Sequence, residues 1–335
     1  MNSRKALASK VQGAVYLRLF LVSRKGAFVN IEAYKVSASL GSALVVYSIL
    51  LCMLVSSTQA FPRSGDLFSD PNLCKLLILT GLNCEKDPKK LVEITQKNWL
   101  REAGKERWEI PERFETKSAE ILDLVKKLGF NERVLPQKKA YDYALVMGAL
   151  SSTMKKRLAF LVKQWQEGVR FRHIYILVGE RPRHPTMESE KMLFEDNAYL
   201  NFPKTWVHPK VLPQTETEIA KMIYKHAEIP QEFRKVPITF VNAPMKLENA
   251  KSVRPTTDDT IHHLLEAHSF KKNASILSVS DQPYIQYQHA VLKRILQKNG
   301  HYSLETVGDE AAETRKLSIY LDSIARALYA QLALN

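Results

Sequence analysis

A polar corner at residues 280–283, "SDQP", follows the apolar run 276–279 and directly precedes an amphipathic stretch. A carboxylate at such a corner can accept a proton from a bound molecule, so we predict Asp281 as a general base if a reaction occurs. Helix capping with aromatic packing is the structural alternative. The ligand-binding prediction for this corner covers Ser280, Gln282, Tyr284 and Tyr287.

An earlier corner, "MGALSSTMKKRL", places hydroxyl residues at the start of a predicted helix. Free backbone N–H groups at a helix start favour an anion. The stretch lacks both G-x-G-x-x-G and the Walker lysine, which argues against a dinucleotide or P-loop site. Ordinary N-capping remains the alternative, as does a solvated arginine one turn along the helix. The predicted ligand-binding residues here are Gly148, Ser151, Ser152 and Arg157.

The corner "LVGERPRHP" carries two arginines after a buried-type run. Because a guanidinium group suits bidentate contact with carboxylate or phosphate, we predict that Gly179, Arg181 and Arg183 contact an anionic ligand. The alternative is pairing of these arginines with Glu188 or Glu190 on the next predicted helix.

The stretch "RPTTDDTIHHLLEA" predicts a helix that Thr256 or Thr257 caps. His262 and His263 are adjacent, so they face different ways on a helix and cannot both bind one metal. No Cys/His spacing in the chain resembles a zinc site, and we expect no metal.

These corners end five short apolar runs that favour β-strands, and helix-periodic stretches lie between the runs. This alternation predicts an α/β fold, with a doubly wound, mostly parallel, Rossmann-like sheet of about five strands over residues 141–335. Ligands of such sheets bind at the carboxyl ends of the strands, so the corners should share one edge. The runs are 141–148, 173–179, 236–242, 274–280 and 302–308, and the helical stretches are 152–168, 186–199, 214–228, 257–268, 284–298 and 310–332.

Residues 61–140 lack the alternation of apolar runs and helical stretches, and they are predicted as an N-terminal helical extension. A short segment, 61–84, precedes two or three helices with dense charges in 85–140. Gly129 and Pro136 mark the boundary with the α/β domain.

The 335-residue chain carries a net charge of +14, yet no run of five or more Lys/Arg indicates a nucleic-acid arm. Its first 35 residues are basic, and 36–62 carry no charge. Small residues before Phe61 fit a signal peptide cut after Ala60, so we predict export, to the periplasm of a bacterium. The alternative for residues 1–60 is an uncleaved membrane anchor. In an oxidising compartment Cys74 and Cys84 suit a disulfide, and two buried thiols are the alternative.

The order of these motifs resembles the YdcF/SanA/ElyC-like family, a domain of largely unassigned function, over residues 141–335. Tyr284 and Tyr287 stand where that family has His and Arg, and Asp258 or Asp259 lies near its first Asn, which implies a different ligand or a changed grip. The positions that carry the resemblance are Gly148, Arg157, Gly179, Glu190, Thr257, Thr260, Ser280 and Asp281.

The resemblance implies an envelope-associated protein, often tethered by an N-terminal apolar segment, with a nucleotide-like ligand such as S-adenosylmethionine. With the residue patterns it predicts a cleft for an anionic, nucleotide-like or envelope-precursor molecule. One alternative is a non-catalytic interaction protein that uses the charged helices of 85–140. Another is a transferase on the same sheet, for which Glu180 would bind a ribose.

Overall fold

The computed structural model describes residues 66–102, 104–195 and 198–334, and two paired dipeptide strands, Leu21–Val22 and Phe28–Val29. The chain divides into two compact units, Met1–Gln59 and Ala60–Asn335, and the second is described below. In the described ranges no helix is long and apolar enough to cross a membrane. The predicted signal or anchor, residues 1–60, lies outside the described residues except for those two dipeptides.

The centre of the second unit is a five-stranded, all-parallel sheet, which confirms the predicted fold. The strands of the second unit are β1 (Ala140–Met147), β2 (Arg170–Gly179), β3 (Ile238–Ala243), β4 (Lys246–Glu248), β5 (Lys251–Val253), β6 (Ser275–Asp281) and β7 (Ser303–Asp309). The strand order in the sheet is β3-β2-β1-β6-β7, and each of these strands lies within three residues of its predicted bounds. A separate hairpin, β4 with β5, was not predicted.

Ten α-helices lie in the described part of the second unit. The predicted helix at 186–199 is wrong in extent, since Ser189 caps a short helix and Glu195 is already extended. The helix starting at Pro71 was missed, although Asp70 caps it. The helices are α1 (Pro71–Leu79), α2 (Pro88–Trp99), α3 (Ser118–Lys127), α4 (Ser151–Gln166), α5 (Glu190–Phe194), α6 (Glu216–His226), α7 (Gln231–Arg234), α8 (Thr257–Ala267), α9 (Ile285–Asn299) and α10 (Leu317–Leu332).

Alternate residues of the strands face opposite layers, as the period of two in a strand requires. Ala144 and Val146 of β1 pack in a core with α4 and α6, whereas Leu145 and Met147 pack in a second core with α8 and α9. Both faces of the sheet are therefore covered, which explains the continuous apolar runs of the strands.

A third core joins the helical extension to the last helix of the chain. Leu76 of α1, Ile121 of α3 and Leu328 of α10 are each fully buried in it. Cys74 and Cys84 form a disulfide that links α1 to the loop after it. The apolar faces of the extension thus pack against α10, and its loops lie close to the α/β layers.

The strand order reverses between β1 and β6. From β1 the chain proceeds outward to β2 and β3, then returns to the other side of β1 for β6 and β7. Val146 pairs with Val279, so the corners at Gly148 and Asp281 follow neighbouring strands at the same edge. This switch point is where open α/β sheets bind their ligands.

Candidate functional site at the carboxyl edge of the sheet

A buried ion pair bridges the ends of β1 and β6. Arg157 of α4 donates from Nε and Nη2 to Asp281 Oδ1, at 2.9 and 2.7 Å. Its Nη1 donates to the carbonyl oxygens of Met147 and Gly148, both at 2.8 Å. The side chains of the pair are only 3% and 2% exposed. Of the two alternatives for Arg157, the structure shows it at the edge of the sheet, paired with the Asp281 carboxylate. The ligand-binding role of Arg157 and the general-base role of Asp281 stay predictions.

The other polar side chains of the 280–283 corner face the interior. Ser280 is hydrogen-bonded to Gln288 of α9. Gln282, which precedes a cis proline peptide, donates from Nε2 to the carbonyl oxygens of Gly129 and Glu132, at 3.0 and 2.9 Å. Both side chains are fully buried. In the structure they fix the corner to α9 and to the end of the extension, and their contact with a ligand stays a prediction.

Glu188 organises the second corner. This fully buried carboxylate accepts from Arg181 Nη1 and Nη2, at 2.9 and 3.1 Å, and from the backbone N–H groups of Ser151 and His184, at 3.0 and 2.8 Å. Arg183 donates to the Glu188 carbonyl oxygen at 2.8 Å. The helix-start position predicted to hold a ligand anion is therefore filled by a carboxylate of the protein. Of the two alternatives for these arginines, the structure shows the pairing with Glu188.

Glu216, at the start of α6, lies beside this network. Its Oε2 is 3.7 Å from Arg181 Nε, and its side chain is 12% exposed. Burial raises the pKa of Glu216 to about 7, with a further rise from the negative charge of Glu188, and Arg181 offsets part of this. A carboxyl group with that pKa exchanges a proton near neutral pH.

Close packing at this edge requires glycine at position 148. A Cβ there would overlap the carbonyl oxygen of Leu177 and lie 2.8 Å from Glu216 Oε1. The glycine lets β1, β2 and the Glu216 carboxylate come together, so its role in the structure is packing.

The segment 101–110 of the helical extension also reaches this edge, through Arg107. The Arg107 guanidinium carbon lies 4.3 Å from the centre of the Tyr284 ring, and its Nε lies 3.6 Å from Asp322 Oδ2. Burial on its own lowers the pKa of Arg107, but the phenol of Tyr284 and the carboxylates of Asp322 and Asp281 outweigh it, so the pKa is raised. The side chain is 31% exposed and remains within reach of a ligand.

One buried carboxylate serves several guanidinium groups here. Asp322 of α10 accepts from Arg326 Nε and Nη2, at 2.9 and 3.2 Å, and from the backbone N–H of Arg101, at 3.3 Å. It is also the ion-pair partner of Arg107. Burial lowers the pKa of Arg101, and the neighbouring charges of Arg107 and Arg326 lower it further. The cluster therefore contains three guanidinium groups, of Arg101, Arg107 and Arg326, and one carboxylate, of Asp322, so its formal charge is positive.

A fourth arginine borders this cluster. Arg254, in the loop before α8, donates from Nη2 to Glu106 Oε2 at 3.3 Å. Its positive charge lowers the pKa of both Arg101 and Glu216. The 101–110 segment and the loop before α8 thus meet over the carboxyl edge. Sequence reasoning missed these residues because it treated 61–140 as a separate extension.

Several predicted site residues are placed elsewhere. Ser152 and Glu190 are exposed, whereas Glu188 and Asp281 are the buried carboxylates at the ends of β2 and β6. Thr256, rather than Thr257, caps α8 in a capping box. A pattern like "TETE" around Glu216 occurs at many helix starts, so no sequence signal singled out that residue.

Three further contacts bear on the predicted roles. Glu180 accepts from Asn242 Nδ2 and the Met245 N–H, both at 3.3 Å, so it binds the β3 corner. Gly179 packs against Pro255 and Ala243, where a Cβ would lie 2.7 Å from the proline ring. Tyr287 is partly buried between the second and third cores.

No protein-family model matches the chain, and no curated protein matches it in sequence. Among the described residues no group of three or more His, Cys, Asp or Glu side chains could hold a metal ion.

Proposed function

We propose that the carboxyl edge of the sheet binds a small anionic molecule, of nucleotide-like or envelope-precursor type. The observation that carries this proposal is the position of Arg107. It lies over the Tyr284 ring at the end of β6, in a cluster where one carboxylate, Asp322, is shared by several arginines. An anion would offset the positive charge that the protein itself leaves in excess there.

The chemistry of the edge suits a phosphate group beside a planar ring. A guanidinium group binds phosphate oxygens in a bidentate manner, and aromatic rings stack on bases and on guanidinium planes. Arg107 and Tyr284 provide these two elements at the switch point. Glu216, with a pKa of about 7, would supply or accept a proton if the bound molecule reacts.

The proposed ligand region corresponds to the region through which the chain resembles the YdcF/SanA/ElyC-like family. In that family the corner after this strand carries His and Arg, and here Tyr284 and Tyr287 stand instead. Arg107, from the helical extension, brings a cation to the same corner. We propose that the ligand binds in the same region of the fold as in that family but is held by different side chains.

We further propose that the protein is exported and works at the cell envelope, with the N-terminal segment as a cleaved signal or, if uncleaved, as a membrane anchor. The Cys74–Cys84 disulfide supports this setting, because disulfides persist in oxidising compartments. The measured mass of the mature N-terminus would test the cleavage after Ala60.

A thermal-shift screen tests the ligand proposal. The probes are uridine diphosphate, adenosine triphosphate, S-adenosylmethionine and a sugar phosphate, each at millimolar concentration. A ligand at 100 times its Kd stabilises the folded protein by about 2.7 kcal/mol, so at least one probe should raise the Tm measurably.

The decisive variant is Arg107→Ala, which should abolish that shift. Its matched control is Arg172→Ala, because Arg172 is 79% exposed and lies near the opposite, amino end of β2. If no probe shifts the wild-type Tm, or if both variants keep the full shift, the proposal is wrong. The absence of any shift would favour an interaction protein that uses the charged helices of 85–140.

A further inference from the structure

A separate cavity of about 340 Å³ lies between the end of α2, the segment 100–114 and the first turn of α10. Trp99, Arg101 and Ser318 line it, with apolar surface from Leu100, Ile110 and Phe114. Nothing in the carboxyl-edge proposal uses this cavity, although Arg101 borders both regions.

Three residues that line the cavity carry a buried hydrogen-bond donor without an acceptor in the part of the chain that the structure describes. The donors are the indole Nε1 of Trp99, the guanidinium Nη1 of Arg101 and the hydroxyl of Ser318. Trp99 and Ser318 are each only 4% exposed. Buried donors are nearly always satisfied in folded proteins, so three in one cavity wall indicate a missing partner that presents acceptors.

The start of α10 also favours a negatively charged group in this cavity. Ser318 is the second residue of a 16-residue helix, whose N-terminal N–H groups and dipole favour negative charge. Glu112 already accepts from the Leu317 N–H at 3.2 Å, and the Ser318 hydroxyl is left over. In the cavity wall Glu102 and Glu109 balance the cations Lys105 and Arg113, so the guanidinium of Arg101 is the positive charge in excess.

We propose that this cavity binds a small organic anion, in which a carboxylate or phosphate group accepts hydrogen bonds from Trp99, Arg101 and Ser318 and an apolar body packs on Phe114 and Ile110. The three donor atoms are covered by neighbouring atoms, so binding of the anion requires the side chains around them to rearrange when it enters.

Isothermal titration calorimetry with benzoate and with phenyl phosphate tests the proposal on the full chain. The wild type should bind at least one of them, and should bind the neutral benzyl alcohol less tightly. Ser318→Ala removes one donor to a charged group and should weaken binding about tenfold or more. The matched control, Ser252→Ala on the exposed β5, should bind as the wild type does.

Folding is separated from binding in the same experiment. Because the Ser318 hydroxyl has no partner among the described residues, its removal should leave the Tm of the ligand-free protein unchanged or raised. If Ser318→Ala does not fold, Arg101→Met serves as the second variant, with the same expected loss. No binding by the wild type, or equal binding by these variants, would overturn the proposal.

The experiments distinguish the failure of one proposed site from the failure of the other. Arg107→Ala should keep its affinity for benzoate or phenyl phosphate, and Ser318→Ala should keep the nucleotide-dependent rise in Tm. If Arg107→Ala or Ser318→Ala removed both responses, the cavity and the carboxyl edge would be one site, which would contradict the separate cavity site.

Discussion

Replacing Glu216 by Gln should change how the stability of the protein depends on pH. The pKa of Glu216 is raised from 4.5 to about 7 in the folded protein, chiefly by burial. Between these two values the folded state holds a proton that the unfolded state has released. The free energy of unfolding therefore falls as the pH rises from about 4.5 to about 7, and the penalty is constant above that range.

The size of the effect follows from the difference in pKa. One pKa unit corresponds to about 1.4 kcal/mol, so this shift corresponds to roughly 3 kcal/mol. The side chain is 12% exposed and Arg181 lies 3.7 Å away, so solvent screening is limited and the nearby positive charge is already included in the shift. Gln cannot ionise and removes this contribution at all pH values.

The assay is urea unfolding of wild type and Glu216→Gln at several pH values from 4.5 to 8. Subtracting one curve from the other removes the titration of all groups that both proteins share. The stability of the variant relative to the wild type should increase by about 3 kcal/mol across this range. A difference that does not vary with pH would refute the reasoning, and one that varies in the opposite direction would show that Arg181 dominates burial.

Two further predictions concern stability. Asp281→Ala leaves the buried charge of Arg157 without its carboxylate partner, so it should lower the free energy of unfolding by about 3–5 kcal/mol. The double variant with Arg157→Met should recover most of this loss. Equal losses of the single and double variants in urea unfolding would contradict the role of the ion pair. Cys74→Ser opens the short loop closed by Cys84 and should cost about 3 kcal/mol, matched by the wild type under reducing conditions; an unchanged urea midpoint in both would show that the disulfide is not formed in solution.

The sheet could be predicted because its strands are encoded locally. Each of the five runs is short, apolar and rich in β-branched residues, as strands buried on both faces must be. The hairpin Lys246–Glu248 with Lys251–Val253 is mostly polar and too short to show a period, so no such signal marked it. The helix at Pro71 did carry a signal, the Asp-Pro start. It was overlooked because residues 61–84 were predicted only as a short segment before the first helix.

The candidate site was predicted only in part, because its chemistry depends on which side chains meet in space. The sequence placed Arg157 and Asp281 at one edge, yet their pairing joins residues 124 positions apart. Likewise Arg181 had two acidic candidates, and only the packing that buries Glu188 selects one. Arg107 could not be found, since nothing in the sequence indicates that the extension reaches Tyr284.

Binding at the carboxyl edge is tested most directly by a crystal structure of the protein with the nucleotide-like compound that raises its Tm most. A phosphate group of that compound should lie within about 3 Å of the Arg107 guanidinium nitrogens, at the carboxyl edge between β1 and β6. A compound bound at the amino edge, or one whose anionic group makes no contact with Arg107, would contradict this proposal.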